Sequence, residues 1–375
     1  MRILIDYRPA LRARSGVGEY VHGLARALVA ESGGPAPAGD EITLFSSSWK
    51  DRLDATALPG AGVIDRRVPV RVLNFAWHNL EWPSIERLTG RSFDVAHSLH
   101  PLLMPARRAA QVVTVHDLDF LAHPERTRAE IRRDYPAFAA AHVRRADHVL
   151  VNSRFTAAEV ERTFGVARDR ITVCSPGAPP WQPRPVEREG QHLLFLGTLE
   201  PRKNVDALLE AYAALLSRRP DAPALVLGGR ATEAAAPWLA RLNEPPLAGR
   251  VRAIGYVPPD ERRPLYESAV LLVIPSFHEG FGLPALEAMT AGVPVVAAAR
   301  GALPEVVGDA GLLVEPRADA LADAMDRLLG DRNLARTLAA RGVARARAFT
   351  WRAAALAARE AYALAVERRR SLSHA

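Results

Sequence analysis

The chain alternates short apolar runs with longer amphipathic stretches, and it does so twice. The first half carries "RILIDY", "EITLFSS", "FDVAHSL", "QVVTVHD", "HVLVNS" and "ITVCSPG"; the second carries "HLLFLGT", "ALVLGG", "VRAIGYV", "VLLVIPS", "PVVAAA" and "GLLVEP". Strands apolar at nearly every position are buried on both faces, as in a parallel sheet between two helical layers. The intervening stretches fit those layers. In "NVDALLEAYAALLSRR", Leu208, Leu209, Tyr212, Leu215 and Leu216 fall on one helical face. The expected fold class is α/β, with two Rossmann-like, doubly wound domains facing across a cleft.

A length of 375 residues suits two domains at about 100 to 200 residues each. The stretch "SPGAPPWQPRPVEREG", 175–190, packs five prolines around Trp181, and proline fits neither helix interiors nor central strands. The expected organisation is an N-terminal domain over 1–178, a stiff linker over 179–190 and a C-terminal ligand-binding domain over 191–351. The remaining 352–375 are an alanine-rich helix with no strand after it, which could pack back across the first domain; "VERRRSLSHA" reads as frayed and solvated.

Several classes of function are set aside by composition. The net charge is +7, yet 47 of the 49 basic residues are arginine (49 minus Lys50 and Lys203), and 42 acids are mixed among them. That pattern fits an arginine-favouring coding bias, and there is no aromatic-basic platform, so no nucleic-acid partner is expected. The one cysteine, Cys174, excludes an internal disulfide and fits a reducing compartment; it reads as a small buried residue. The opening "MRILIDYRP" lacks a signal peptide's apolar core, and no run approaches the roughly 18 apolar residues of a span. A cytoplasmic location is expected. Peripheral membrane contact stays open through "RTRAEIRRDYPAFAAAHVRRADH", 126–148, which also reads as a solvated helix face.

In open α/β sheets, ligands sit beyond the carboxyl ends of the strands. The unusual residues gather there: His116 and Asp117 after one strand, and Gly197, Gly228, Gly229, Gly255 and Glu279 after others. In "HEGFGLPALEA", 278–288, Glu279 sits in a glycine-flanked loop. Pro284 suits the first turn of a helix, Gly292 suits its end, and Glu287 lies about one turn in. In "LGTLEPRKN", 196–204, Gly197 permits close backbone approach, while Arg202, Lys203 and a helix N-terminus form a diphosphate cradle. A solvated charge pair is the plainer reading. If the cations hold phosphates, the two glutamates are left for vicinal hydroxyls. A molecule joining ribose, diphosphate and sugar meets both demands, so a nucleotide-sugar is the expected ligand.

These motifs resemble those of the retaining glycosyltransferases of the GT-B fold, the large "glycosyl transferases group 1" family, with bacterial mannosyltransferases nearest in character. The resemblance rests on "GTLEPRKN", the spacing of "EGFGLPALE" and "GVPVVAAARGALPEVVGDAGLLVEP", and in the first half on "SGVGEY", "VTVHDLDFLAHPE" and "VNSRFTAAEV". It implies that Glu279 holds hydroxyls of the transferred sugar, helped by backbone amides from Gly280, Phe281, Gly282 and Leu283. It implies that Glu287 binds ribose, and that Arg202 and Lys203 stabilise the departing diphosphate. Gly16 and Gly18, taken as a loop after the first strand, would approach the phosphates; a tight turn with positive φ is the alternative there. His116 would orient a sugar hydroxyl, although a strand-end histidine is often structural.

The run "DLD", Asp117 to Asp119, mimics the metal site of the other major glycosyltransferase fold. With Arg202 and Lys203 available, no metal or other cofactor is expected. The implied function is transfer of a hexosyl unit, first mannose from GDP-mannose, with retention of configuration. The acceptor is an unknown glycan, lipid-linked or small molecule, and surface polysaccharide or glycoconjugate synthesis is the implied setting. A UDP-sugar donor, a nucleotide-sugar epimerase and a catalytically silent binding protein are the rivals.

Overall fold

The computed structural model describes residues 1–11, 14, 16–32, 39–54, 56–123, 129–185 and 190–374, the side chains of 129–135, 137, 373 and 374 excepted. The chain divides into two compact units, Met1–Gly177 with Thr350–Ala375, and Ala178–Phe349. Each holds one wholly parallel sheet.

In the first unit the strands are β1 (Arg2–Asp6), β2 (Glu41–Ser47), β3 (Gly62–Arg66), β4 (Val95–Ser98), β5 (Ala110–Val115), β6 (His148–Val151) and β7 (Ile171–Val173). Their order across the sheet is β3-β2-β1-β4-β5-β6-β7. The second unit holds β8 (His192–Leu196), β9 (Ala224–Gly228), β10 (Val251–Gly255), β11 (Ala269–Ile274), β12 (Val295–Ala298) and β13 (Leu312–Val314), ordered β10-β9-β8-β11-β12-β13. Both sheets reverse direction of growth once, between β1 and β4 and between β8 and β11. That is the doubly wound plan, with a switch point in each.

The continuous apolarity of the strands follows from two-sided burial. In β1, Ile3 and Ile5 join a core with Tyr20 and Tyr362, while Leu4 between them joins Phe45 and Trp77 on the opposite face. In β8, Leu193 and Phe195 face Tyr212, and Leu194 faces Tyr266 and Phe281. The helix Val205–Arg218 buries Leu208, Leu209, Tyr212, Leu215 and Leu216, the face that the spacing marks out.

One strand, β3, escapes the sequence reading. Its residues are Gly-Val-Ile-Asp-Arg with only Ile64 buried, so it lacks the apolar run that marks the others. Two further expectations are corrected. From Ala178 onward the described part of the proline-rich stretch groups with the second unit, where Trp181 packs on Tyr266 with ring centroids 5.9 Å apart. There Arg184 also donates to the carbonyls of Glu267 and Ala269. The C-terminal segment is helical over Trp351–His374 rather than frayed; Arg368 pairs with Asp169 at 3.0 Å, and Arg369 donates to the Arg107 carbonyl.

That helix completes the core of the first unit. Ala354, Ala355, Ala358, Ala361, Tyr362 and Ala365 are all buried there. Small side chains let its backbone lie close, so the Ala354 carbonyl accepts from Cys174 Sγ at 3.2 Å. Tyr362 Oη and His97 Nδ1 are 2.7 Å apart. Burial pushes the Cys174 thiol up to about 12, which leaves it an inert packing residue.

Candidate active site

Lys203 and Glu279 meet at the switch point of the second sheet. Lys203 ends a single 3₁₀ turn, Pro201–Lys203, just after β8. Glu279 follows β11, the neighbouring strand. Lys203 Nζ donates to Glu279 Oε1 at 2.5 Å, and the Ser276 hydroxyl donates to the same oxygen at 2.7 Å. Arg202 Nη1 stands 3.6 Å from Glu279 Oε2, while its Nε donates to Glu200 Oε1 at 2.6 Å. Both Lys203 and Glu279 are buried.

The two loops are tied to each other by backbone as well. The Phe277 amide donates to the Arg202 carbonyl at 2.9 Å. Asn204, at φ 55° between the 3₁₀ turn and the next helix, donates from Nδ2 to the carbonyls of Pro275 at 3.0 Å and Pro316 at 2.9 Å. Left-handed backbone suits asparagine better than most residues. Ala302 N donates to the Glu279 carbonyl at 2.9 Å, and beside it a Cβ on Gly301 would fall 2.6 Å from that carbonyl oxygen. Only a residue without a side chain fits against Glu279 there.

The electrostatics follow from this enclosure. Burial alone would raise the Glu279 pKa, but the charges of Lys203 and Arg202 and the hydrogen bonds from Lys203 and Ser276 outweigh it and hold the carboxyl below its ordinary value. Burial, then the Arg202 charge, pulls Lys203 below the usual lysine value, and Glu279 opposes them. The sequence reading assigns cations and carboxylate to separate parts of a ligand. The structure instead joins them in one ionic network, since adjacent strands deliver both.

Glu287 is held differently. It lies in the helix Leu283–Thr290, where it accepts from Tyr266 Oη at 2.8 Å and from Arg262 Nη1 at 3.4 Å. Gly282, at φ 104°, caps that helix, and Pro284 occupies its first turn. Phe281 turns into the core, edge-on to Phe349 at 5.6 Å between centroids, so its side chain is structural. Gly280 is buried beside it and Leu283 is half-buried. Gly197 follows β8, where a Cβ would touch Lys203 Cε at 3.7 Å.

His116, Gly16 and Gly18 belong to the first unit. His116 follows β5; its Nε2 lies 3.1 Å from the Leu99 carbonyl, and its ring stands edge-on to Tyr20 at 5.1 Å. Burial lowers its pKa, against the pull of the Leu99 hydrogen bond and Asp117. A carbonyl partner requires the proton on Nε2, so the neutral ring keeps Nδ1 as an acceptor. The glycines are corrected: they form the first turn of the helix Gly16–Ser32 rather than a loop. Gly18 keeps helical backbone, and a Cβ there would fall 2.9 Å from the Pro9 carbonyl, so close packing explains it in place of a positive φ. In "DLD", the Asp119 amide donates to Asp117 Oδ1 at 3.3 Å and Asp119 is buried.

Ser276, Tyr266, Arg262 and Gly301 also shape the site and are not marked as site residues by the sequence motifs. Ser276 alone carried a signal, as a small polar residue closing an apolar strand. The motifs also pass over a cluster at the switch point of the first sheet. Asp6, fully buried at the end of β1, pairs with Arg8 at 2.6 Å and with His100 Nε2 at 3.1 Å. Burial would raise its pKa, yet Arg8 and His100 hold it far below the usual carboxylate range.

Residues 190–331 match the family described as Glycosyl transferases group 1, and residues 14–182 match Glycosyltransferase Family 4. The chain is 36% identical over 262 residues to O-antigen chain mannosyltransferase B of Escherichia coli, covering 66% of this chain and 68% of the relative. It belongs to the group 1 glycosyltransferases. A second relative of this transferase, D-inositol 3-phosphate glycosyltransferase of Corynebacterium glutamicum (strain R), is 30% identical over 353 residues, covering 85% and 82% of the two chains. Among solved structures, sucrose-phosphate synthase from Thermosynechococcus elongatus superposes with a TM-score of 0.73 at 24% identity, over 95% and 96% of the chains. Anabaena HepE in complex with UDP and glucose gives 0.69 at 19% identity, over 96% and 98%. These likenesses establish the fold, the GT-B architecture of two Rossmann-like domains.

Proposed function

We propose that this transferase moves a hexosyl unit, first mannose from GDP-mannose, from a nucleotide-diphosphate sugar to an acceptor hydroxyl with retention of configuration and without a metal. The observation that carries the reading is the buried Lys203–Glu279 pair beside Arg202. A buried cation already poised against a carboxylate needs little reorganisation to meet a diphosphate, and electrostatic stabilisation of developing charge is the largest catalytic term in many enzymes. On this reading Lys203 and Arg202 neutralise the diphosphate, which is why no metal is invoked. Glu279 and the amides of Gly280 to Leu283 hold sugar hydroxyls, Glu287 holds ribose, and the helix Gly16–Ser32 offers its N-terminal amides to phosphate.

In the transfer step the bond between the sugar C1 and the phosphate oxygen breaks as the acceptor oxygen bonds C1 on the same face. The acceptor proton passes to the departing phosphate oxygen. His116, neutral and with Nδ1 accepting, orients a sugar hydroxyl. Mannose is supported by the O-antigen relative, which also favours surface polysaccharide synthesis. A UDP-sugar is the second reading, supported by the HepE structures with UDP and UDP-glucose.

Thermal-shift titration with GDP, UDP and their sugars tests the donor, since a ligand that binds the native state raises the unfolding temperature. GDP-mannose should stabilise most. Proton NMR of the product should show the donor's anomeric configuration, and an inverted product would defeat the mechanism. Sugar released as an isomer without any acceptor would indicate an epimerase instead.

A further inference from the structure

In the first unit, the arginine-rich stretch 126–148 lies partly outside the described residues, which omit 126–128 and the side chains of 129–135 and 137. A line of three rings elsewhere in that unit bears on the reaction itself. His116, Tyr20 and Trp351 come from separate parts of the chain: the end of β5, the first turns of the helix Gly16–Ser32, and the start of the helix Trp351–His374. The Tyr20 and His116 rings stand 5.1 Å apart between centroids at 83°, and the Tyr20 and Trp351 rings 6.1 Å apart at 58°. Near-perpendicular rings set the positive rim of one against the negative face of the other, so the contact favours one tilt.

Tyr20 has little freedom of its own. It is 2% exposed, and its hydroxyl donates to the Cys174 carbonyl at 3.0 Å. Two glycines clear room for the tryptophan behind it: a Cβ on Gly23 would fall 2.3 Å from Trp351 Cζ2, and one on Gly177 would fall 2.2 Å from Trp351 N. Neither has a positive φ, so closeness to Trp351, and not backbone conformation, requires them. His116 is less fully fixed by its polar partners. Its Nε2 meets the Leu99 carbonyl at 3.1 Å, and its own carbonyl accepts from Thr156 Oγ1 at 3.4 Å. Nε2 lies closer than Nδ1 to the Cβ–Cγ axis about which an imidazole turns, and that torsion is broad. The Leu99 hydrogen bond therefore tolerates a rotation that would swing Nδ1 away.

We propose that Tyr20, backed by Trp351, is the positioning residue that fixes the tilt of the His116 ring and so aims Nδ1 at the sugar hydroxyl. This rests on His116 acting as the hydroxyl-orienting group. It gives the C-terminal helix a part in the reaction through its first residue, beyond completing the core. Tyr20 acts by shape and enclosure, since its buried phenol stays neutral well above the usual tyrosine range. The titratable groups that bear on the ring are Asp117, which raises its pKa, His100, which lowers it, and His97 on the adjacent β4.

NMR of the full chain with labelled histidine tests the proposal without any substrate, the His116 ring signals being those lost in His116→Gln. Tyr20→Leu should shift the Nδ1 signal and raise the His116 pKa toward the ordinary 6.5, because the ring loses its cover. Turnover, read as release of GDP from GDP-mannose or UDP from UDP-glucose, should fall about tenfold to a hundredfold, with calorimetric nucleotide affinity nearly unchanged. It should also fail at a higher pH as acid is added, because a protonated Nδ1 has no lone pair to offer. Tyr20→Phe, which keeps the ring, should restore both signals and turnover. Trp351→Leu should change both in the same direction by less, and it decides the matter if Tyr20→Leu does not fold. In a His116→Gln background, Tyr20→Leu should cost no further turnover. A loss that persists there, or unchanged His116 signals in the folded variants, would overturn the proposal. Parental turnover of His116→Gln would overturn it too, by removing the role of His116, and is told apart by His116 signals that still shift in Tyr20→Leu.

Discussion

The Lys203 ammonium stands 2.5 Å from the Glu279 carboxylate although the two residues are 76 positions apart. Their strands, β8 and β11, are neighbours because β9 and β10 lie on the other side of β8. The contact is thus a product of the switch in strand order, and the site's electrostatics depend on it.

Lys203→Ala should therefore cost about 3 kcal/mol of stability, because it leaves Glu279 buried with a weaker partner. Turnover should fall by about 100-fold or more, with donor binding far less affected. The double variant Lys203→Met/Glu279→Gln should regain most of the stability while remaining inactive. Urea unfolding and steady-state kinetics measure the two effects separately; a double variant as unstable as the single one would deny the coupling.

Acid should weaken both units through identifiable carboxylates. Asp6 and Glu279 have native pKa values below their ordinary 3.8 and 4.5, so each binds its proton more weakly when folded. Their stabilisation is complete above those ordinary values and is lost as pH falls through the lower native ones. Asp6→Asn and Glu279→Gln should each lower stability at neutral pH and flatten its decline in acid. Urea midpoints followed down from neutral pH check the slope, and a decline as steep as in the parent chain would remove these groups from the account.

Tyr266→Phe should weaken binding of GDP and UDP alike by about tenfold or more, the effect of losing one hydrogen bond to a charged acceptor. The common factor is ribose, the proposed ligand of Glu287, which Tyr266 orients at 2.8 Å. Turnover at saturating donor should hardly change. Isothermal titration gives the affinities, and a loss confined to one nucleotide would place Tyr266 near the base instead.

Gly301→Ala should reduce activity as well as stability, because its Cβ would press on the Glu279 backbone at 2.6 Å and its φ is +59°. A destabilisation of about 2 to 4 kcal/mol is expected. Gly249→Ala is the control: its φ is +71° but nothing lies within 4 Å of a Cβ, so only about 1 kcal/mol for the backbone conformation is expected. Comparable losses of activity in the two variants would show that strain alone, and not displacement of Glu279, is responsible.

The sequence alone determined the α/β class, twelve of the thirteen strands among the described residues and the residues on either side of the candidate centre. Strands buried on both faces must be apolar throughout, and strand-to-helix turns must supply polar groups at the sheet edge, so both leave local marks. β3 left none, because Gly62, Asp65 and Arg66 leave only Val63 and Ile64 as its apolar run. Gly16 and Gly18 were visible as glycines, but only the approach of Pro9 shows what the second is for. Tertiary structure decided which marked residues touch: it set Lys203 against Glu279 and gave Glu287 to Tyr266 and Arg262. Such pairings follow from the order of strands in a sheet, which is chosen by packing across the whole unit, and no short stretch of chain carries it.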